Sequence, residues 1–174
     1  MNITEALKWR YATKRMNGNK IPIEKVEKIK EAIQFSPTSL GLQAFKVIEI
    51  ENSDIRRRIF EEACNQEPII ESDRIFVFAA NRKVTYEMAE NYMKLIAQTR
   101  EIPVSQLDGM LSLVNDLVVK EDEQHNFNWA ARQTYLVLGV ALLTAAAESV
   151  DATPIEGFNP EALDKILHLK EQNL

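Results

Sequence analysis

Residues 129–147, WAARQTYLVLGVALLTAAA, decide how the rest of the chain is arranged. From Tyr135 to Ala147 only Thr144 is polar, so a helix here has no solvent face and is expected to be buried on every side. The apolar run is shorter than the roughly 20 residues that cross a bilayer. Arg132 and Gln133 stand one turn before it, so it reads as a core helix and not as a membrane span. Gly139, Ala141, Ala145, Ala146 and Ala147 give it a small-residue surface that another backbone can approach. A chain of 174 residues has little material with which to wrap such a helix. A second copy would supply the remainder, which predicts a homodimer built on this helix.

Outward from that helix, composition sets the class. At 45% hydrophobic, with five Gly and six Pro, residues 1–174 read as one globular domain without a linker or an internal repeat. The single Cys64 excludes an internal disulfide and suits a reducing compartment. The N-terminal MNITEALKWRYATKR has no apolar core of a signal peptide, so the expected location is cytoplasmic, with no membrane partner. The net charge of −5 speaks against a nucleic-acid surface. Residues 1–30 carry eight Lys or Arg against three Glu, a local +5 that leaves −10 for the remainder. That basic segment suits a small anionic ligand. Lys20, Lys25, Lys28 and Lys30 read more simply as a solvated basic helix face.

Along the chain, residues 2–9 form a short helix by the placement of Ile3, Ala6 and Leu7, and Asn17-Gly18 marks a turn. Val26, Ile29 and Ile33 predict a helix over 23–35 that Pro37 stops. Residues 46–51 and 74–80 read as strands, the second buried in the middle of a sheet. Ser53 is the expected cap of a helix carrying Ile55, Ile59 and Ala63. Tyr86, Ala89, Met93 and Ile96 mark another, ending before Pro103. Ser105 and Asp108 form a capping-box pattern for a helix carrying Leu107 to Val118, and Asn126 or Asn128 caps the central helix. Residues 150–155 are extended, and Asn159-Pro160 opens a last helix. Many helices and two good strands predict an α+β fold, a small central sheet flanked by helices, and a sheet thin for its surroundings.

Motifs exclude more than they assign. Neither G-x-G-x-x-G nor G-x-x-x-x-G-K-[ST] occurs. His125 and His168 lie far apart without carboxylate or Cys at ligand spacing, so no metal site is expected. No nucleophile elbow is present, and Cys64 in a helical pattern reads as buried and inert. What remains are short fragments: RYATK at 10–14, SPTS at 36–39, CNQ at 64–66, RQ at 132–133 and PIEGF at 154–158. They offer cations, hydroxyls, amides and a Gly-containing turn at loops and helix ends. Such a set suits a planar phosphorylated ligand better than a metal or acyl-transfer site.

In order and spacing these fragments resemble the FMN-dependent NAD(P)H nitroreductase family, which includes flavin and quinone reductases; the likeness runs from about Ala6 to Leu174. The resemblance implies an α+β homodimer with FMN in clefts between subunits. Carried over, Arg10, Tyr11, Ala12 and Lys14 with Asn65 would hold FMN from one subunit. Pro37, Thr38, Ser39 and Gln133, with Pro154, Ile155, Glu156 and Gly157, would come from the other. Lys14 would stabilise the negative charge that reduction places near N1 and O2 of the ring, Arg10 suits the phosphate end, and the 155–157 turn can aim a backbone N–H at N5. Glu156 would help place the nicotinamide, and no side chain acts as nucleophile. The implied reaction is ping-pong transfer of electrons from NAD(P)H to a small-molecule acceptor: a nitroaromatic, a quinone or a flavin.

The sequence departs from that pattern at four places. Ala12 stands where many relatives have Ser, Ala44-Phe45 where Pro-Trp is usual, and Pro68 where some have Lys. The family's further strand, its cross-subunit segment and its Lys/Arg pair on the phosphate have no counterpart in residues 1–174, which implies weaker FMN binding. Two other readings compete: a truncated flavin-binding dimer without turnover, and an unrelated helical interaction protein without cofactor.

Overall fold

The computed structural model describes residues 2–174. Helix α1, Ile3–Trp9, starts on a capping box in which Asn2 and Glu5 exchange side-chain-to-backbone bonds of 2.9 Å. Helix α2, Ile23–Gln34, buries Val26, Ile29 and Ile33 at helical spacing. Strand β1, Phe45–Ile50, follows the SPTS loop, then helix α3, Ser53–Glu62, and the single turn α4, Pro68–Glu71. Strand β2, Ile75–Ala80, leads to α5, Tyr86–Arg100. Helix α6, Asp108–Val114, α7, Glu123–Ala147, and α8, Pro160–Leu167, complete the order.

β1 and β2 pair antiparallel, Phe45 opposite Ala80 and Ile50 opposite Ile75. Side chains alternate across this ribbon with period two. Phe45, Val47 and Phe78 meet Ile29, Ile33, Val137, Ala141 and Ala145 on the α2–α7 side. Ile48, Ile50, Ile75 and Val77 meet Ile59, Ala63, Leu163 and Ile166 on the α3–α8 side. A third core of Leu42, Ala44, Val84, Met93, Val114, Val118 and Ala130 joins α5 and α6 to the first half of α7. The α+β architecture with a small sheet between helices is therefore as expected.

Five local expectations are corrected. Among the described residues β2 pairs with β1 only, so it is not mid-sheet, and most of it is half-buried. Asn52, not Ser53, caps α3, its Oδ1 accepting the N–H groups of Asp54 and Ile55 at 2.9 and 3.0 Å. The helix expected after Ser105 is broken into a 3-10 turn at Val104–Leu107, α6 and a π turn at Asn115–Val119. No side chain caps α6. The central helix begins at Glu123 with Asp122 as its cap, accepting from the His125 N–H at 2.7 Å. Asn126 is instead a fully buried strut. Its Oδ1 accepts the Val84 N–H at 2.7 Å, and its Nδ2 donates to the carbonyls of Val118, Glu121 and Asp122. That amide takes up the Val118 carbonyl where the π turn gives out, which a cap at the same residue would not do.

The fifth correction concerns α7 itself. Its inward stripe of Ala130, Val137, Ala141 and Ala145 is buried, but Tyr135 is 58% and Leu136 55% exposed. Burial on every side is therefore not met within one chain. At 25 residues α7 is also long and apolar enough to cross a membrane, contrary to the expectation from the apolar run alone. It packs against α1, α2, β1 and β2, the contacts of a core helix.

Candidate functional site

The basic N-terminal segment divides by what its cations touch. Arg15 makes a bidentate bond to Glu71, whose Oε2 also accepts the Met16 N–H at 2.9 Å. The Arg15 hydrogen bond, with that of Met16, holds the Glu71 carboxyl below its usual range. Lys20 sits 2.8 Å from Asp73, a side chain only 1% exposed. Burial pushes the Asp73 carboxyl up, but bonds from Lys20, Arg74 and the Ile21 N–H outweigh it and leave it below its ordinary value. Lys25 donates to the Glu148 carbonyl at 2.6 Å, Lys28 pairs with the Glu148 carboxylate, and Lys30 with Glu27 and Glu49. Lys20, Lys28 and Lys30 remain 76%, 56% and 42% exposed, as a solvated basic face requires, while pairing with carboxylates; the one correction is that Lys20 lies before α2 and not on it.

Lys8, Arg10 and Lys14 have no carboxylate partner among the described residues. Lys14 is exposed, as are Tyr11 and Ala12 beside it. Arg10, at the C-cap of α1, differs: its Nε and Nη2 are buried and bonded to nothing. Thr38 Oγ1 is in the same condition. Buried donors without acceptors are uncommon because their desolvation is uncompensated. These atoms fit the oxygens of an anionic, phosphate-bearing ligand.

Helix α7 organises the remaining fragments. On its inner side the buried Gln133 accepts the Ser39 N–H at 2.8 Å through Oε1 and donates to the Trp129 carbonyl at 3.1 Å through Nε2. This fixes the SPTS loop, whose backbone is left-handed at Leu40, Gly41 and Gln43, with φ of 58°, 67° and 49°. Tyr92 from α5 donates to the Leu40 carbonyl at 3.0 Å, and a Cβ on Gly41 would lie 2.3 Å from that hydroxyl. Two residues past Gln133, about 200° around a helix of 3.6 residues per turn, the Tyr135 hydroxyl donates to the Glu156 carboxylate. PIEGF and SPTS therefore attach to different sides of one helix.

CNQ joins PIEGF and not SPTS. Gln66 Nε2 donates to the Gly157 carbonyl at 3.1 Å, the Cys64 thiol lies 3.7 Å from the same oxygen, and the Asn159 N–H bonds Ala63 at 2.8 Å. Desolvation raises the Cys64 thiol above its ordinary value, more than its bond from Gln66 lowers it, in keeping with an inert thiol. A cleft of about 980 Å³ opens here, lined by Tyr11, Cys64, Tyr135, Pro154, Ile155 and Glu156 among others. Arg10, Lys14, Pro37, Thr38, Ser39, Asn65, Gln133 and Gly157 do not line it. Within one chain, then, Tyr11 and Thr13 meet Cys64 and 154–156 at this cleft, 64–66 being bonded to Gly157, while Ser39 is bonded to Gln133 on another side of α7. This corrects the grouping in which 154–157 came from the subunit opposite Asn65.

Sequence reasoning missed Tyr135 as a site-shaping group. Tyr135 reads as apolar within its run, but its hydroxyl bonds the Glu156 carboxylate.

Fold and site together define a helix-rich α+β protein with a cleft beside a core helix and buried donors suited to an anionic ligand. The nitroreductase family model matches residues 7–174, and the chain belongs to that family. It is 32% identical over 174 residues to YfkO of Bacillus subtilis, which bears the name of an NAD(P)H nitroreductase, covering 95% of this chain and 78% of that one. A solved structure named as the nitroreductase ydfN of Bacillus subtilis superposes with a TM-score of 0.86 at 20% identity, over 97% of this chain and 82% of that one. A nitroreductase from Exiguobacterium sibiricum, solved in complex with FMN, gives 0.84 at 18% identity, over 97% and 80%. Membership overturns the reading as an unrelated helical interaction protein, and the chain is an enzyme of an oxidoreductase family.

Proposed function

We propose that this protein is a cytoplasmic, homodimeric FMN oxidoreductase that carries electrons from NAD(P)H to nitroaromatics, quinones or flavins. The observation that carries the reading is the pair of buried, unpartnered guanidinium nitrogens of Arg10, in a segment whose Arg15 and Lys20 are already paired with Glu71 and Asp73. Arg10 would hold the phosphate-bearing ligand, Lys14 would face the electron-rich edge of its ring, and Tyr11, Ala12, Asn65, Pro154, Ile155 and Gly157 would border it. Pro37, Thr38, Ser39 and Gln133 lie on the other side of α7, so they would reach the same ligand, Thr38 with its unpartnered hydroxyl among them, only from a second chain. The exposed Tyr135 and Leu136 on α7 support that arrangement.

Bound FMN supplies the two-electron chemistry, which no side chain of this protein can supply. The chain's own part is to bind and orient. Lys14 provides a positive field where negative charge develops, and the segment Ile155, Glu156, Gly157 is pinned by Gln66 on one side and Tyr135 on the other. One slot serving donor and acceptor in turn predicts parallel lines in double-reciprocal plots.

The test is equilibrium titration with FMN followed by flavin fluorescence, with light scattering for the oligomer. One FMN per chain on a dimer is expected, and Arg10→Ala should weaken binding by about 10- to 100-fold through loss of a charge-assisted contact. A monomer that leaves FMN fluorescence unchanged at every protein concentration would refute the proposal.

A further inference from the structure

Residues 11–16 belong to no helix or strand, and the chain bends at Lys14. Thr13 is the one buried residue among these six, 6% exposed, while Tyr11, Ala12, Lys14 and Arg15 around it are exposed. Its N–H donates to the Tyr11 carbonyl at 3.1 Å, and its Oγ1 donates to the Arg15 carbonyl at 2.8 Å. That second bond closes the bend over Lys14, joining the residue before it to the residue after it. A further pin follows at once: Glu71 accepts from the Arg15 guanidinium and, at 2.9 Å, from the Met16 N–H. The backbone that carries Lys14 is thus fixed on both sides, and the Lys14 side chain is exposed with no carboxylate partner among the described residues.

A hydroxyl has one proton to donate, and that of Thr13 is committed to the loop and not offered to a ligand. Its effect is therefore on geometry. A lysine ammonium rides on a flexible stem, and the field it sets at a given atom falls with distance, so its influence depends on how firmly its backbone is held. We propose that Thr13 is a positioning residue: by closing the bend over Lys14 it fixes the ammonium where it favours the reduced, more negative state of a bound flavin over the oxidised one. This rests on the flavin-reductase reading above.

Thr13→Val keeps the branched shape and removes the hydroxyl, whereas Thr13→Ser keeps the hydroxyl and removes the methyl. Both should lower Tm. With FMN bound, Thr13→Val is expected to lose about 5-fold of the preference for reduced over oxidised flavin, which lowers the two-electron midpoint potential by about 20 mV. Thr13→Ser should hold the wild-type potential in spite of its lower Tm, a separation that a purely structural residue would not give. Thr13→Ala, which adds no bulk, should repeat the shift of Thr13→Val. Lys14→Ala alone should lower the potential by at least as much, and adding Thr13→Val to it should lower it no further. A wild-type potential in Thr13→Val and Thr13→Ala overturns the proposal, as does an equal shift with and without Lys14, or a potential that follows Tm through all three Thr13 variants. Wild-type protein that binds no FMN overturns the functional reading together with this one, and the FMN titration distinguishes that failure from a failure of Thr13 alone.

Discussion

Two loops that carry site residues are held in opposite ways. The 10–22 loop is strapped by charge, Arg15 and the Met16 N–H to Glu71, Lys20 and the Ile21 N–H to Asp73. The 36–43 loop is held by neutral bonds: Ser36 to the Ala32 carbonyl, Ser39 to Gln133, Gln43 to the Gln34 carbonyl and Tyr92 to Leu40. Its backbone is left-handed at three of four consecutive positions, a conformation that costs energy for Leu40 and Gln43. The first loop should respond to salt and acid, and the second to neither. Anchoring the cationic loop by carboxylates also leaves Arg10 and Lys14 as the cations without a protein partner.

The largest separation between the loops should come from Gly41→Val. A β-branched residue at φ 67°, with its Cβ against the Tyr92 hydroxyl, should lower stability by about 2 to 3 kcal/mol at any salt concentration. Urea unfolding at low and high salt checks it; a salt-dependent loss would contradict the neutral description of this loop. Asp73→Asn comes next, about 2 kcal/mol at neutral pH, because the side chain is buried among charged donors. Its folded value is depressed, so the contribution is complete above the unfolded value near 3.8 and fades as pH falls through the lower folded value. Wild type and variant should therefore converge in acid, and a constant gap down to the acid limit would contradict the strap. Tyr92→Phe should cost about 1 kcal/mol, independent of pH, by thermal unfolding. Smallest is Glu71→Gln: Tm should move by less than about 2 °C, while proteolysis within 15–22 speeds up and added salt mimics the effect in wild type.

The same contrast explains what was legible in the sequence. Periodicity located α2, α5 and both strands because apolar spacing reports burial whatever the partner, as with Val26, Ile29 and Ile33. The fragments RYATK, SPTS, CNQ and PIEGF were legible as residue types. Their grouping was not, since whether PIEGF joins CNQ or SPTS depends on which side of α7 each meets. Caps were misassigned where two candidates adjoin, as with Asn52 and Ser53, because only geometry decides which oxygen reaches the free N–H groups. The Val118 carbonyl in the π turn at Asn115–Val119 is taken up by the Asn126 amide eight residues on, a geometric match that apolar periodicity does not report.

Whether the two sides of α7 serve one flavin is answered by an anaerobic absorbance spectrum of protein and FMN in equal amounts, recorded before and after NADH. The visible flavin band should bleach in proportion to the protein present and return on adding a quinone. A band that stays as strong as that of free FMN under the same NADH would contradict the assignment of these residues to a flavin site.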